Sequence, residues 1–88
     1  MFNNRAYHQE VMHLQRMSSP HGRRADTGGI GTTITDPNVD FAKLAASMGV
    51  WSAGPITDAG QLASSLKQAV DVVKSGVPAL IDVVCQPR

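Results

Sequence analysis

Near the end of the sequence, Ala79-Leu80-Ile81-Asp82-Val83-Val84 runs six residues with a single polar side chain. β-Branched residues in a row favour extended backbone, and a strand without polar alternation needs cover on both faces. A helical period precedes it, separated only by Gly76-Val77-Pro78. A strand that follows a helix so closely reads as one arm of a crossover, which places it in a parallel, helix-covered sheet. No other stretch of the chain restricts the fold as much.

The remaining segments fit the same α/β plan. Met1-Phe2 reads as the stub of an apolar strand. Ala6 to Met17 is expected to be helical, because Tyr7, Val11, Leu14 and Ser18 follow helical spacing and no Pro or Gly interrupts them. Asp40 to Met48 forms a second helix, with Phe41, Leu44, Ala45 and Met48 on one face, Asn38 as N-cap and Gly49 as its stop. Val50 to Ala53 is a short strand centred on Trp51 and ended by Gly54-Pro55. A third helix runs from about Asp58 to Ser75, capped by Thr57 and closed by Gly76, with Leu62, Leu66, Ala69 and Val73 as its apolar stripe. Between the first two helices, Ser18 to Asn38 is rich in Gly and Pro and reads as a loop without an element, a length that functional loops reach. Two or three strands are too few for a complete sheet of this class, so the chain reads as the back part of one.

Composition excludes several classes. With 42% hydrophobic and 17% charged residues the chain is globular rather than a charged disordered tail, and a net charge of +1 leaves no electrostatic footprint for nucleic acid. Cys85 is the single cysteine, so neither an internal disulfide nor a thiolate zinc cluster is available. No apolar run reaches the roughly 18 to 20 residues that span a bilayer. Met1-Phe2-Asn3-Asn4-Arg5 lacks the basic-then-apolar order of a secretory signal, so the cytoplasm is the expected compartment. A chain this short buries about 60–65% of its unfolded surface, and a partner, a cofactor or further sequence is expected to complete its core.

Asn3-Asn4 is the first candidate for chemistry. A strand end, two asparagines and a helix start offer backbone N–H donors and a positive helix end to an anion. An amide oxygen with a nearby carbonyl also suits magnesium. The spacing alone equally allows a simple N-cap.

The run Phe2-Asn3-Asn4-Arg5-Ala6-Tyr7 resembles the end of the thiamine diphosphate motif, which opens with Gly-Asp-Gly and closes on an Asn pair. Pro37-Asn38-Val39-Asp40-Phe41-Ala42-Lys43-Leu44-Ala45, followed by Met48-Gly49-Val50, is similar to the "D-F-x-x-L-A" helix of the same family. Gly76-Val77-Pro78-Ala79-Leu80-Ile81-Asp82-Val83 resembles its "G-x-P-x-L-I-D-V" final strand. The likeness covers nearly the whole chain and points to the acetolactate synthase and benzoylformate decarboxylase-like branch of thiamine diphosphate enzymes.

This resemblance implies a partial thiamine diphosphate-binding fold over residues 1–88. It implies magnesium held by the Asn4 side chain and the Ala6 carbonyl. It implies Asn3 shaping the turn toward the cofactor diphosphate, and a helix start from Arg5 through Tyr7 facing that charge. Pyruvate decarboxylase-like members carry Asn-Asn-x-Gly-Tyr-x-x-Glu, with the Glu near the substrate carboxylate; here the spacing is kept, with Ala6 in place of Gly and Glu10 as the acid. The resemblance therefore implies Glu10 as a catalytic proton-transfer group, while the residues alone also allow a first-turn glutamate that complements the helix dipole.

The Gly-Asp-Gly half, with its metal-binding Asp, is not among these residues. Neither is the family's cofactor-activating Glu, which comes from another domain and usually another subunit. The expectation is thus a C-terminal portion of a lyase or transferase acting on a 2-oxo acid, a decarboxylase or carboligase, inactive alone. Its expected partners are upstream domains or a second subunit in a homo-oligomer. The alternative is a non-catalytic truncated module that folds or regulates by docking to a partner.

Other residues carry blander expectations. His8 and His13 point to different helix faces and His21 lies in the loop, a spacing that does not suit zinc. Thr27-Gly28-Gly29-Ile30-Gly31-Thr32-Thr33 lacks the Lys of a phosphate loop and reads as a mobile covering segment. Arg23-Arg24 reads as solvated, Cys85 as a buried or edge thiol, and Trp51 and Met48 as core or interface residues.

Overall fold

The computed structural model describes residues 1–22 and 27–86, which leaves Arg23 and Arg24 outside the described residues. In chain order the elements are β1 (Phe2–Asn3), α1 (His8–Ser18), α2 (Phe41–Ser47), β2 (Trp51–Ile56), α3 (Ala59–Lys74) and β3 (Ala79–Val84). They fall into two compact units, one of residues 1–3 and 40–85, the other of residues 4–39 with Gln86.

The first unit holds a three-stranded parallel sheet in the order β1-β3-β2. The expected α/β architecture is therefore present, with the apolar run at its centre. Phe2 and Asn3 pair with Val83 and Val84, and Trp51, Ser52 and Ala53 pair with Ala79, Leu80 and Ile81. The second strand does not end at Gly54-Pro55 as expected. It continues to Ile56, which pairs with Val83, so three steps along β2 match two along β3. Gly54 and Pro55 form that bulge, where a proline's missing N–H costs no ladder bond.

Both helices of this unit begin on an aspartate. Asp40 Oδ1 accepts from the Lys43 N–H at 2.9 Å, and Asp58 Oδ1 accepts from the Gly60 N–H at 2.9 Å. The expected caps, Asn38 and Thr57, lie outside the helices, because each aspartate sits in extended backbone immediately before the first helical residue. Gly49 and Gly76 stop α2 and α3 with φ of 77° and 88°. Ala42 and Ala45 of α2 are buried, as is Ile56, and the Ser52 hydroxyl donates to the Ala42 carbonyl at 2.7 Å. Met48 is exposed and Trp51 half-buried.

The stripe on α3 is only partly covered. Leu62, Leu66, Val70 and Val73 line a groove of about 470 Å³ together with Phe2, Ile81 and Val83. Phe2 is 85% exposed.

The second unit is built around α1 and a short antiparallel bridge between Ala6 and Thr33. That bridge overturns two expectations. The helix starts at His8 rather than Ala6, since Ala6 is committed to extended pairing. The segment 18–38 is not free of elements either: Ser18 closes α1, Ser19–His21 form a 3-10 turn, and Thr33 belongs to the bridge. The glycine-rich stretch is a folded turn, with Gly28 and Thr32 buried and the Thr32 hydroxyl donating to the Gly28 carbonyl.

Candidate functional site

Asn4 to Tyr7 form a hairpin-like arm within the second unit. The Tyr7 N–H donates to the Thr32 carbonyl at 2.7 Å, and the Ile34 N–H donates to the Arg5 carbonyl at 2.7 Å. These two bonds flank the Ala6–Thr33 bridge, so Ala6 and Thr33 form a non-hydrogen-bonded pair. In such a pair the N–H and C=O of Ala6 both point away from the partner strand, to one and the same side. Asn4 sits on that side, because its Oδ1 accepts from the Ala6 N–H at 3.2 Å. The side-chain oxygen of Asn4 and the main-chain oxygen of Ala6 are thereby brought to one side of the arm.

Arg5 makes the arrangement possible. Its φ of 55° turns the chain between Asn4 and Ala6, a left-handed conformation uncommon for a residue with a Cβ. Asn4 and Ala6 are half-buried, within reach of solvent and of a ligand. The helix start expected from Arg5 is displaced to His8. Tyr7 is its N-cap, makes no side-chain cap bond and is exposed. The asparagines therefore do not cap α1; the Asn4 oxygen serves the Ala6 N–H ahead of the helix. By helix geometry the N–H groups of His8 and Gln9, ahead of the Glu10 N–H in the first turn, have no intrahelical acceptor and carry the positive end of α1.

Glu10 lies in the first turn of α1, with its N–H donating to the Tyr7 carbonyl at 3.1 Å and its side chain exposed. His8 is half-buried at the start of the same helix, and His13 and His21 are exposed. Among the described residues, no three His, Cys, Asp or Glu side chains come together to hold a metal. A cation on the Asn4–Ala6 side would instead meet neutral oxygens.

Asn3 belongs to the first unit and closes β1. It is 6% exposed, its carbonyl accepts from the Cys85 N–H at 2.9 Å, and its Nδ2 donates to Asp82 Oδ2 at 3.5 Å. Asp82 was not singled out by sequence; the signal was there, a lone acid in an otherwise apolar strand. The Cys85 thiol is half-buried and donates to the Val83 carbonyl at 3.4 Å.

Among the described residues, no helix is long and apolar enough to cross a membrane. The family model described as "Thiamine pyrophosphate enzyme, C-terminal TPP binding domain" matches residues 1–83. No curated protein and no solved structure gives a significant match.

Proposed function

The chain belongs to the thiamine pyrophosphate enzyme family through its C-terminal TPP-binding domain, and we propose that its share of the work is to hold a divalent cation and, through it, the cofactor diphosphate. The observation that carries this reading is the common direction of two oxygens, Asn4 Oδ1 and the Ala6 carbonyl, at the turn made by Arg5. Their chemistry fits magnesium, which takes oxygen ligands and keeps several waters when few are supplied. Neither oxygen is charged, so the diphosphate and a carboxylate from elsewhere would complete the shell. The first-turn N–H groups of α1 add a positive helix end for the phosphates.

On this reading Asn3 shapes the end of β1, Arg5 sets the turn and Tyr7 starts the helix. Glu10 stands on the substrate side as a proton donor or a neighbour of the substrate carboxylate. When bound, thiamine diphosphate supplies the nucleophilic carbon that adds to a 2-oxo acid. The assembled enzyme is then a decarboxylase or carboligase of the acetolactate synthase or benzoylformate decarboxylase-like kind.

The apolar groove between α3 and β1 supports a further element of the same enzyme, or a second subunit, lying on that face. It also favours the second reading, a module that acts by docking. An in-frame Gly-Asp-Gly upstream of Met1 would separate the two in favour of the enzyme.

Calorimetric titration of this chain with thiamine diphosphate and magnesium tests the proposal. Binding weaker than micromolar and dependent on magnesium is expected, since the metal-binding carboxylate is not among these residues. Submicromolar binding, or binding indifferent to magnesium, would contradict it.

A further inference from the structure

We propose that Asp82 is a positioning residue for the cofactor-anchoring turn and that it acts through Asn3. The inference rests on the reading of Asn4 and Ala6 as metal ligands.

Asp82 is 0% exposed, the most buried side chain among the described residues. One of its oxygens accepts from Asn3 Nδ2 at 3.5 Å, and the other, Oδ1, has no hydrogen-bond partner. A buried carboxylate with an unpaired oxygen opposes folding, and a branched apolar side chain would suit the centre of a parallel sheet better. Its neighbours along β3 are of that kind: Leu80 and Val84 share its face and Ile81 and Val83 take the other. The strand therefore tolerates an unfavourable residue where an apolar one would serve packing.

The acid's position explains what it does. Phe2 is in register with Val83 and Asn3 with Val84, so the Asn3 side chain lies on the same face of the sheet as Asp82. The backbone of Gly54 approaches the Asp82 main chain so closely that a Cβ there would press against the Asp82 carbonyl oxygen. The carboxylate itself has no exposed surface. Its one hydrogen bond goes to Asn3, the last strand residue before Asn4. Asn3 is then held through its carbonyl by Cys85 and through its amide by Asp82. A fixed Asn3 anchors the end of β1, one peptide bond before the proposed ligand Asn4. Groups that orient a metal ligand through a hydrogen bond matter to metal affinity without touching the metal.

The test uses manganese with thiamine diphosphate as a paramagnetic probe, read by the broadening of backbone amide resonances in this chain. In the unsubstituted protein the Asn4 and Ala6 amides should broaden first. Asp82→Leu should raise the manganese concentration needed, by less than the roughly tenfold expected for a direct hydrogen-bond partner of a metal ligand, because Asp82 reaches Asn4 only through Asn3. The melting temperature should be unchanged or higher, because a buried polar group with an oxygen lacking a hydrogen-bond partner has been removed. Asp82→Asn keeps an acceptor oxygen for Asn3 and should restore most of the affinity. In an Asn3→Ala background, Asp82→Leu should have no further effect, since the pair acts as one unit. Should Asp82→Leu not fold, Asp82→Thr, strand-forming and without a carboxylate, takes its place. Broadening at Asn4 and Ala6 that is indifferent to Asp82, or effects of Asn3→Ala and the Asp82 variant that simply add, would overturn this inference alone. Absence of broadening at Asn4 and Ala6 in the unsubstituted chain would overturn the ligand assignment and this inference with it.

Discussion

Gly54 and Asp82 lie backbone to backbone across β2 and β3. A Cβ built on Gly54 would stand 3.1 Å from the Asp82 Cβ and closer still to its carbonyl oxygen, and φ at Gly54 is 120°. Gly49, with φ of 77°, has nothing within 4 Å of the same imagined atom. Gly49 thus carries a conformational penalty alone, whereas Gly54 carries a conformational penalty and a collision. Gly49→Ala should cost about 1–2 kcal/mol, the penalty of a left-handed residue with a Cβ. Gly54→Ala should cost more than that, because the bulge must also move off β3. Denaturant unfolding of both variants checks the order; equal costs would show that the close approach relaxes freely.

Asp40 offers a cleaner test of how the first unit is held. Its side chain caps α2, and Asn38 stands outside the helix. Asp40→Ala should lower stability by about 1 kcal/mol, while Asn38→Ala should change it by only a few tenths. The same pair of measurements distinguishes the structural cap from the one suggested by residue type alone.

Element types were legible because each rests on a local period: the stripe on α3 and the apolar run of β3 need no partner to be recognised. What the sequence concealed was set by contacts between distant residues. The start of α1 moved to His8 because Ala6 pairs with Thr33, and nothing near Ala6 in the chain announces that bridge. The second strand ran past Gly54-Pro55 because a bulge, invisible to propensity, absorbs the proline. The caps moved by one and two residues, since several polar residues before each helix were chemically suitable and backbone geometry selected the aspartate. At the candidate site the residue types of Asn3 to Tyr7 were readable. The outward direction of the Ala6 carbonyl and the buried bond from Asn3 to Asp82 emerged only from the fold.

Glu10 separates a catalytic role from a helix-dipole role. In an enzyme assembled around this domain, Glu10→Gln should leave cofactor binding intact and lower turnover by about 10²-fold or more, the lower end for general acid–base catalysis. If Glu10 only complements the first turn of α1, the same change should cost at most about 1 kcal/mol of stability and leave turnover nearly unchanged. Turnover and melting temperature of the one variant decide between them.

On the proposed reading, the Asn4 side chain and the Ala6 carbonyl together face a metal. Paramagnetic broadening by manganese with thiamine diphosphate reads this directly, in the unsubstituted chain and in Asn4→Ala. The resonances of Asn4 and Ala6 should broaden at the lowest manganese concentrations. Asn4→Ala, which deletes one proposed ligand oxygen, should weaken the effect, while excess metal and cofactor should partly restore it. Broadening centred elsewhere in the chain, or identical broadening in Asn4→Ala, would contradict it.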